Sequence, residues 1–107
     1  MPIHNKLVRD KIPQIIEQTG KSFHIRTLDN QEYRVELKKK LNEEIKEYQS
    51  SVNDEESIEE LADVLEVIHS LAKLHGSSFN EVEKIRLAKS QERGGFENRI
   101  YLESVED

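Results

Sequence analysis

Residues 55–75 carry apolar side chains on two helical stripes at once. No other feature constrains the fold of this chain so tightly. Ile58, Leu61, Ala62, Leu65, Ile68 and Ala72 recur at three- and four-residue spacing, and Val64, Val67, Leu71 and Leu74 form a second line beside them. Residues so spaced share a helix face. A helix that is apolar on two sides packs on two sides, as at the centre of a bundle. A second amphipathic stretch precedes it, with Tyr33, Leu37, Leu41, Ile45 and Tyr48 repeating at the same spacing through about Ser50.

The punctuation fits helices throughout. Asp29 followed by Glu32 reads as a capping box. Ser51-Val52-Asn53-Asp54 reads as the turn into a Glu55–His75 helix, with Gly76 just past its end. Ser78 caps a third helix, Phe79–Glu92. Pro13 opens a short helix, Pro13–Gln18, which Gly20 closes. Phe23-His24-Ile25-Arg26 alternates and reads as extended. Arg93-Gly94-Gly95-Phe96 reads as a sharp loop, and Arg99-Ile100-Tyr101-Leu102 as an extended tail. The expectation is an all-α fold over residues 1–107, a single domain. It is an antiparallel bundle of three long helices and one short N-terminal helix.

Composition sets limits on that bundle. Hydrophobic residues are 35% and charged residues 36%, against a usual ~45–50% and ~25%. A core this thin predicts self-association, as a homodimer or a dimer of dimers. No apolar run approaches the ~20 residues a membrane span needs. The first thirteen residues lack the apolar stretch of a secretory leader. With no Cys there is no disulfide frame, thiolate zinc site or thiol nucleophile. Together these features point to the cytoplasm.

The net charge of -6 is unevenly spread: residues 29–66 carry thirteen acids against five Lys and Arg. A net acidic chain is a poor ligand for a nucleic-acid backbone, and neither a polymer of that kind nor a membrane is an expected partner. An acidic centre between less acidic ends suits a cation flanked by anion-binding groups. Charged helices that simply solvate their outer faces explain the same pattern.

Particular acids stand at telling positions. Glu44 lies three residues after Leu41 and four before Tyr48, on the inward side of its helix, with Glu47 at i+3. Glu60 and Asp63 are again an i,i+3 pair. Such a pair places two side chains ~5–6 Å apart, and two antiparallel helices bring two pairs to a common point. Four inward carboxylates with no Lys or Arg beside them repel, and their burial is costly. A hard divalent cation, Mg²⁺ or Mn²⁺, resolves the repulsion. Boundary acids facing solvent remain the alternative.

Glu43-Glu44-Ile45-Lys46-Glu47, twelve residues, then Glu60-Leu61-Ala62-Asp63 resembles the EExxE…ExxD pattern of the MazG-like all-α nucleoside triphosphate pyrophosphatases. Lys6-Leu7-Val8-Arg9-Asp10-Lys11-Ile12-Pro13 and Arg93-Gly94-Gly95-Phe96 resemble the flanking motifs of its small stand-alone, phosphoribosyl-ATP pyrophosphohydrolase-like branch. The resemblance covers nearly the whole chain. It implies that Glu44, Glu47, Glu60 and Asp63 bind Mg²⁺, with Mn²⁺ as a substitute, and that the cation holds a nucleotide's phosphate chain. Water then attacks the α-phosphorus and pyrophosphate leaves. Glu43, 100° round the helix from Glu44, is the candidate to support a metal ligand or orient that water; a solvated surface Glu is the plain alternative. The family's dimers and dimers of dimers agree with the self-association expected from composition. They imply a pocket near the interface, where basic residues of one copy serve acids of the other.

A phosphate chain also needs cations or backbone N–H groups. Lys6 and Arg9 fall in a basic cluster with Lys11 before the first helix, while Lys89 and Arg93 share a face at i,i+4. All four of Lys6, Arg9, Lys89 and Arg93 are candidates for substrate phosphate, Arg9 and Arg93 foremost. The alternative for Arg9 is a partner such as Asp10 or a glutamate of the second helix. Gly94-Gly95 lets a backbone approach a ligand closely or simply turns the chain. Phe23, Tyr33 and Phe96 are either base-stacking or core residues.

Two rival readings are a non-catalytic helical interaction module and a di-metal carboxylate/His redox bundle. The latter draws on Glu66-Val67-Ile68-His69, an ExxH. Against it, His69 lies ~180° round the helix from Glu60, and Glu66 is read as pointing away with it.

Overall fold

A computed structural model describes residues 3–107. Met1 and Pro2, the start of the segment read for a leader, lie outside the described residues. Four helices follow in order: α1 Ile12–Gln18, α2 Asn30–Gln49, α3 Asp54–Leu74 and α4 Phe79–Arg93. Among the described residues there is no strand, so the fold is all-α as expected. No helix is long and apolar enough to cross a membrane.

The helix starts are set by side chains that satisfy the free N–H groups of a first turn. Glu32 N–H donates to Asp29 Oδ1 at 2.8 Å, and the Glu32 carboxylate accepts in return from Asp29 N–H, completing the capping box. Asn53 Oδ1 accepts from Glu56 N–H at 2.8 Å at the start of α3, and Ser78 Oγ from Glu81 N–H at 3.3 Å at the start of α4. Past α3 and α4 the chain turns at Gly76, φ 76°, and Gly94, φ 84°. A Cβ is strained at both positions. The two segments read as extended form no ladder. Residues 21–29 and 100–107 have no regular secondary structure, and Arg99 sits at φ 59°, which a strand excludes.

α2 and α3, joined by a short turn, pack on each other and carry the core. Leu37 of α2 and Val67 and Ala72 of α3 are the buried hydrophobics. Tyr33 and Arg34 near the start of α2 lie across one cleft from Ser70 and Lys73 near the end of α3. The two-stripe pattern of α3 is only half used. Val67 and Ala72 are covered, while Ile58, Leu61 and Leu65 toward its start are 66%, 44% and 42% exposed. α4 packs on α3 but leaves Val82, Ile85 and Leu87 exposed. The radius of gyration is 18.4 Å, against about 13 Å for a compact chain of this length.

Candidate metal centre

Three of the four acids meet. Carboxylate oxygens of Glu44 from α2 and of Glu60 and Asp63 from α3 lie within 4.8 Å of one another, on half-buried side chains. The α2–α3 packing makes this meeting: both helices turn a polar edge to one side of the apolar seam formed by Leu37 and Val67. Glu47 stands outside the triad and is exposed. An i+3 step turns a side chain by 300°, so Glu47 lies 60° round the helix from Glu44. It is still near enough for its charge to act on Glu60.

The Glu60 carboxyl is pushed up from the ordinary carboxylate range. Partial burial is the main cause, followed by the charges of Asp63, Glu47, Glu44 and Glu56. A raised carboxylate pKa means that the ionised form is disfavoured in the folded chain. Ionised Glu60 therefore costs the fold stability above the ordinary carboxylate range, and that cost is relieved as pH falls through the raised pKa. Glu60→Gln is expected to raise the melting temperature of the metal-stripped protein at pH 7. The gain should vanish near pH 4, where both forms are neutral. Melts in chelator at the two pH values read the difference. An equal gain at both would assign the effect to packing and not to charge.

Cations stand beside the acids, contrary to the expectation of four carboxylates without Lys or Arg. Arg9 Nη2 lies 2.7 Å from Asp63 Oδ1. Its partner is thus on α3, neither Asp10 nor a glutamate of α2. Lys40 Nζ lies 3.5 Å from Glu44 Oε1 and 3.4 Å from Glu43 Oε1, and only 17% of its side chain is exposed. Sequence reasoning missed Lys40, although its i,i+3 and i,i+4 spacing to Glu43 and Glu44 was legible. Lys6 approaches Glu43 at 3.9 Å. Glu43 is therefore held between two lysines at the edge of the site, outside the triad.

A cleft of about 340 Å³ opens beside these groups. Leu7 to Lys11 line one wall, Tyr33, Lys40 and Glu44 a second, and Asp63, Glu66, Val67 and Ser70 a third. Glu66 thus shares the face of Asp63, which corrects its reading as pointing away. His69 stacks on Phe79 of α4, with ring centroids 4.0 Å apart, and takes no part in the triad. Lys89 and Arg93 sit at the exposed end of α4. Among the described residues they make no ion pair, and they border neither cleft described above. Tyr33 faces the cleft, Phe23 is half-buried, and Phe96 is 96% exposed, so it belongs to no core of this chain.

The donor set is all oxygen and anionic, which suits Mg²⁺ or Mn²⁺ better than a metal that prefers imidazole or thiolate. The residues present therefore fit a hard divalent cation. Arg9, Lys11 and Lys40 line the same cleft together with the acids Asp10, Glu44, Asp63 and Glu66, so three cations stand among four carboxylates there.

No family model matches the chain, and no solved structure matches it. A Mycolicibacterium smegmatis protein, described only as uncharacterized, is 39% identical over 54 residues, which are 50% of this chain. The match spans about 55% of that protein's length.

Proposed function

We propose that the chain is a Mg²⁺-dependent nucleotide pyrophosphohydrolase of the MazG-like kind. The observation that carries this reading is the meeting of Glu44, Glu60 and Asp63 within 4.8 Å beside a cleft lined by Arg9, Lys11 and Lys40. Two consecutive helices supply the three acids, as the paired motifs imply. The bound cation supplies Lewis acidity toward phosphate oxygens and water. The chain's own residues do the rest. Glu44, Glu60 and Asp63 hold the cation. Arg9 and Lys11 neutralise the phosphate chain, and Tyr33 on the facing wall limits the pocket. Glu47, whose charge reaches Glu60, would add to the negative field that attracts the cation, and Glu43 is a positioning residue held by Lys6 and Lys40.

The fold that serves this chemistry is an antiparallel bundle completed by a second copy. The placement of Arg93 supports it. A basic residue exposed at the far end of α4, away from the acids of its own cleft, fits service to a partner's site. Arg93→Ala is expected to raise KM or lower kcat roughly tenfold, the worth of one charge-assisted hydrogen bond, with Mn²⁺ affinity unchanged. A variant that melts early but hydrolyses normally when folded makes Arg93 structural.

The deciding experiment is a panel of nucleoside triphosphates assayed for pyrophosphate with Mg²⁺, with Mn²⁺ and with chelator. Metal-dependent release on any member supports the enzyme. No release on all members, with no thermal response to either metal, supports the interaction module. Bound iron with oxygen consumption would support the redox bundle, which the stacking of His69 on Phe79 does not favour.

A further inference from the structure

We infer that Arg9 is an exchangeable counter-ion: it neutralises Asp63 while the metal is away, and passes to substrate phosphate when the metal takes Asp63. The inference deepens the pyrophosphohydrolase reading and rests on it. Two cations touch the acidic triad, and they are held differently. Lys40 is tied to Glu43 and Glu44 on its own helix and is largely covered. Arg9 reaches Asp63 across 54 positions of sequence, from a segment with no helix, with 57% of its side chain exposed. An ion pair this exposed shifts an equilibrium by only about two- to fivefold, so a divalent cation displaces it readily.

The main chain at Arg9 carries its own hydrogen bond, independent of the side chain. Arg9 C=O accepts from Ile12 N–H at 3.0 Å, in the turn that starts α1. A change of side-chain rotamer is enough to release Asp63 with that main-chain bond kept. The freed guanidinium stays at the same cleft, which Lys11 and Lys40 also line. Its planar fork fits two phosphate oxygens. One residue thus lowers the repulsion of an empty acid site and then serves the anion that arrives with the metal.

The consequence is a pair of opposite effects that a fixed phosphate ligand does not give. Arg9→Gln should bind Mn²⁺ alone roughly two- to fivefold more tightly than the wild type, because a competitor is gone. The same variant should bind pyrophosphate in the presence of Mg²⁺ roughly tenfold or more weakly, because a charge-assisted contact is gone. Lys11→Gln is the control for general charge, since Lys11 lines the same cleft and pairs with no acid among the described residues. Calorimetric titrations of wild type, Arg9→Gln, Lys11→Gln and Asp63→Asn decide the matter. Tighter Mn²⁺ with weaker pyrophosphate in Arg9→Gln, and little change of Mn²⁺ affinity in Lys11→Gln, supports the exchange. Equal tightening in both variants, or no tightening in Arg9→Gln, overturns it while leaving the metal site standing. Mn²⁺ binding that Asp63→Asn does not weaken overturns the metal site and the exchange together.

Discussion

Asp63→Asn is expected to lower pyrophosphate release at least about 100-fold, since even residues that only support a metal ligand are worth ~10–100-fold. Asp63 is the acid at which three roles meet. It closes the triad with Glu44 and Glu60, it holds Arg9 at 2.7 Å, and it borders the cleft. Asparagine keeps the shape and one oxygen but loses the charge that makes a hard-cation ligand. The fold should survive. Both partners of the Arg9–Asp63 pair are well exposed, at 57% and 40% of their side chains, so its loss costs about 0.2–1 kcal/mol. Against that, one charge fewer acts on Glu60, whose carboxyl Asp63 helps to push up. These two effects oppose each other, and a melting temperature within a few degrees of the wild type is the expected result. Circular dichroism and a malachite-type phosphate assay coupled to pyrophosphatase read fold and turnover separately. Full turnover in a folded Asp63→Asn protein would remove the metal centre from this site.

The parts of this structure that were legible in the sequence are those set by neighbours along the chain. Helix starts follow from Asp29 and Ser78, because a cap acts over three residues, whereas Asn53, read only as part of a turn, caps α3 one residue earlier than the reading places its start. The inward position of Glu44 follows from Leu41, one turn before it and half-buried, although Tyr48 on the same line is 40% exposed. What a neighbour along the chain does not decide was not legible. Arg9 finds Asp63 only because the segment before α1 crosses α3, and that crossing is a property of packing. The places of Glu47 and Glu66 turn on one further property of packing. A three-residue step leaves a 60° offset, and the position of the facing helix decides which side of the offset is covered. On α2 the offset exposes Glu47, while on α3 it brings Glu66 into the cleft with Asp63. Phe96 shows a further limit, since an aromatic residue was weighed as core in a tail that has no core to join.

Sedimentation equilibrium at micromolar concentration is expected to give at least twice the chain mass of 12.5 kDa. The argument starts from α3. Its stripe of Leu61, Leu65, Ile68 and Ala72 is covered only toward its end, and Ile58, Leu61 and Leu65 face water. α4 lies against α3 yet leaves Val82, Ile85 and Leu87 38%, 51% and 48% exposed. Full burial of one such side chain stabilises by about 1.5–3 kcal/mol. Six side chains at about half exposure therefore leave several kcal/mol unrealised in a lone chain, comparable to the whole stability of a small domain. The radius of gyration, 18.4 Å, exceeds the roughly 13 Å of a compact chain of this length, as expected of helices and irregular end segments that one chain does not gather into a single globule. A symmetric copy would cover these side chains, because each copy would offer the other the surface that it lacks. It would also give the exposed Arg93 of one copy a partner to reach. Leu65→Glu and Ile85→Glu place a charge at two points of that surface and should each shift the mass toward 12.5 kDa. They should also lower the melting temperature, because association and folding share the same apolar area. A wild-type chain that sediments as a clean monomer and still hydrolyses nucleotide would refute the second copy, and with it any service of Arg93 to a partner's site.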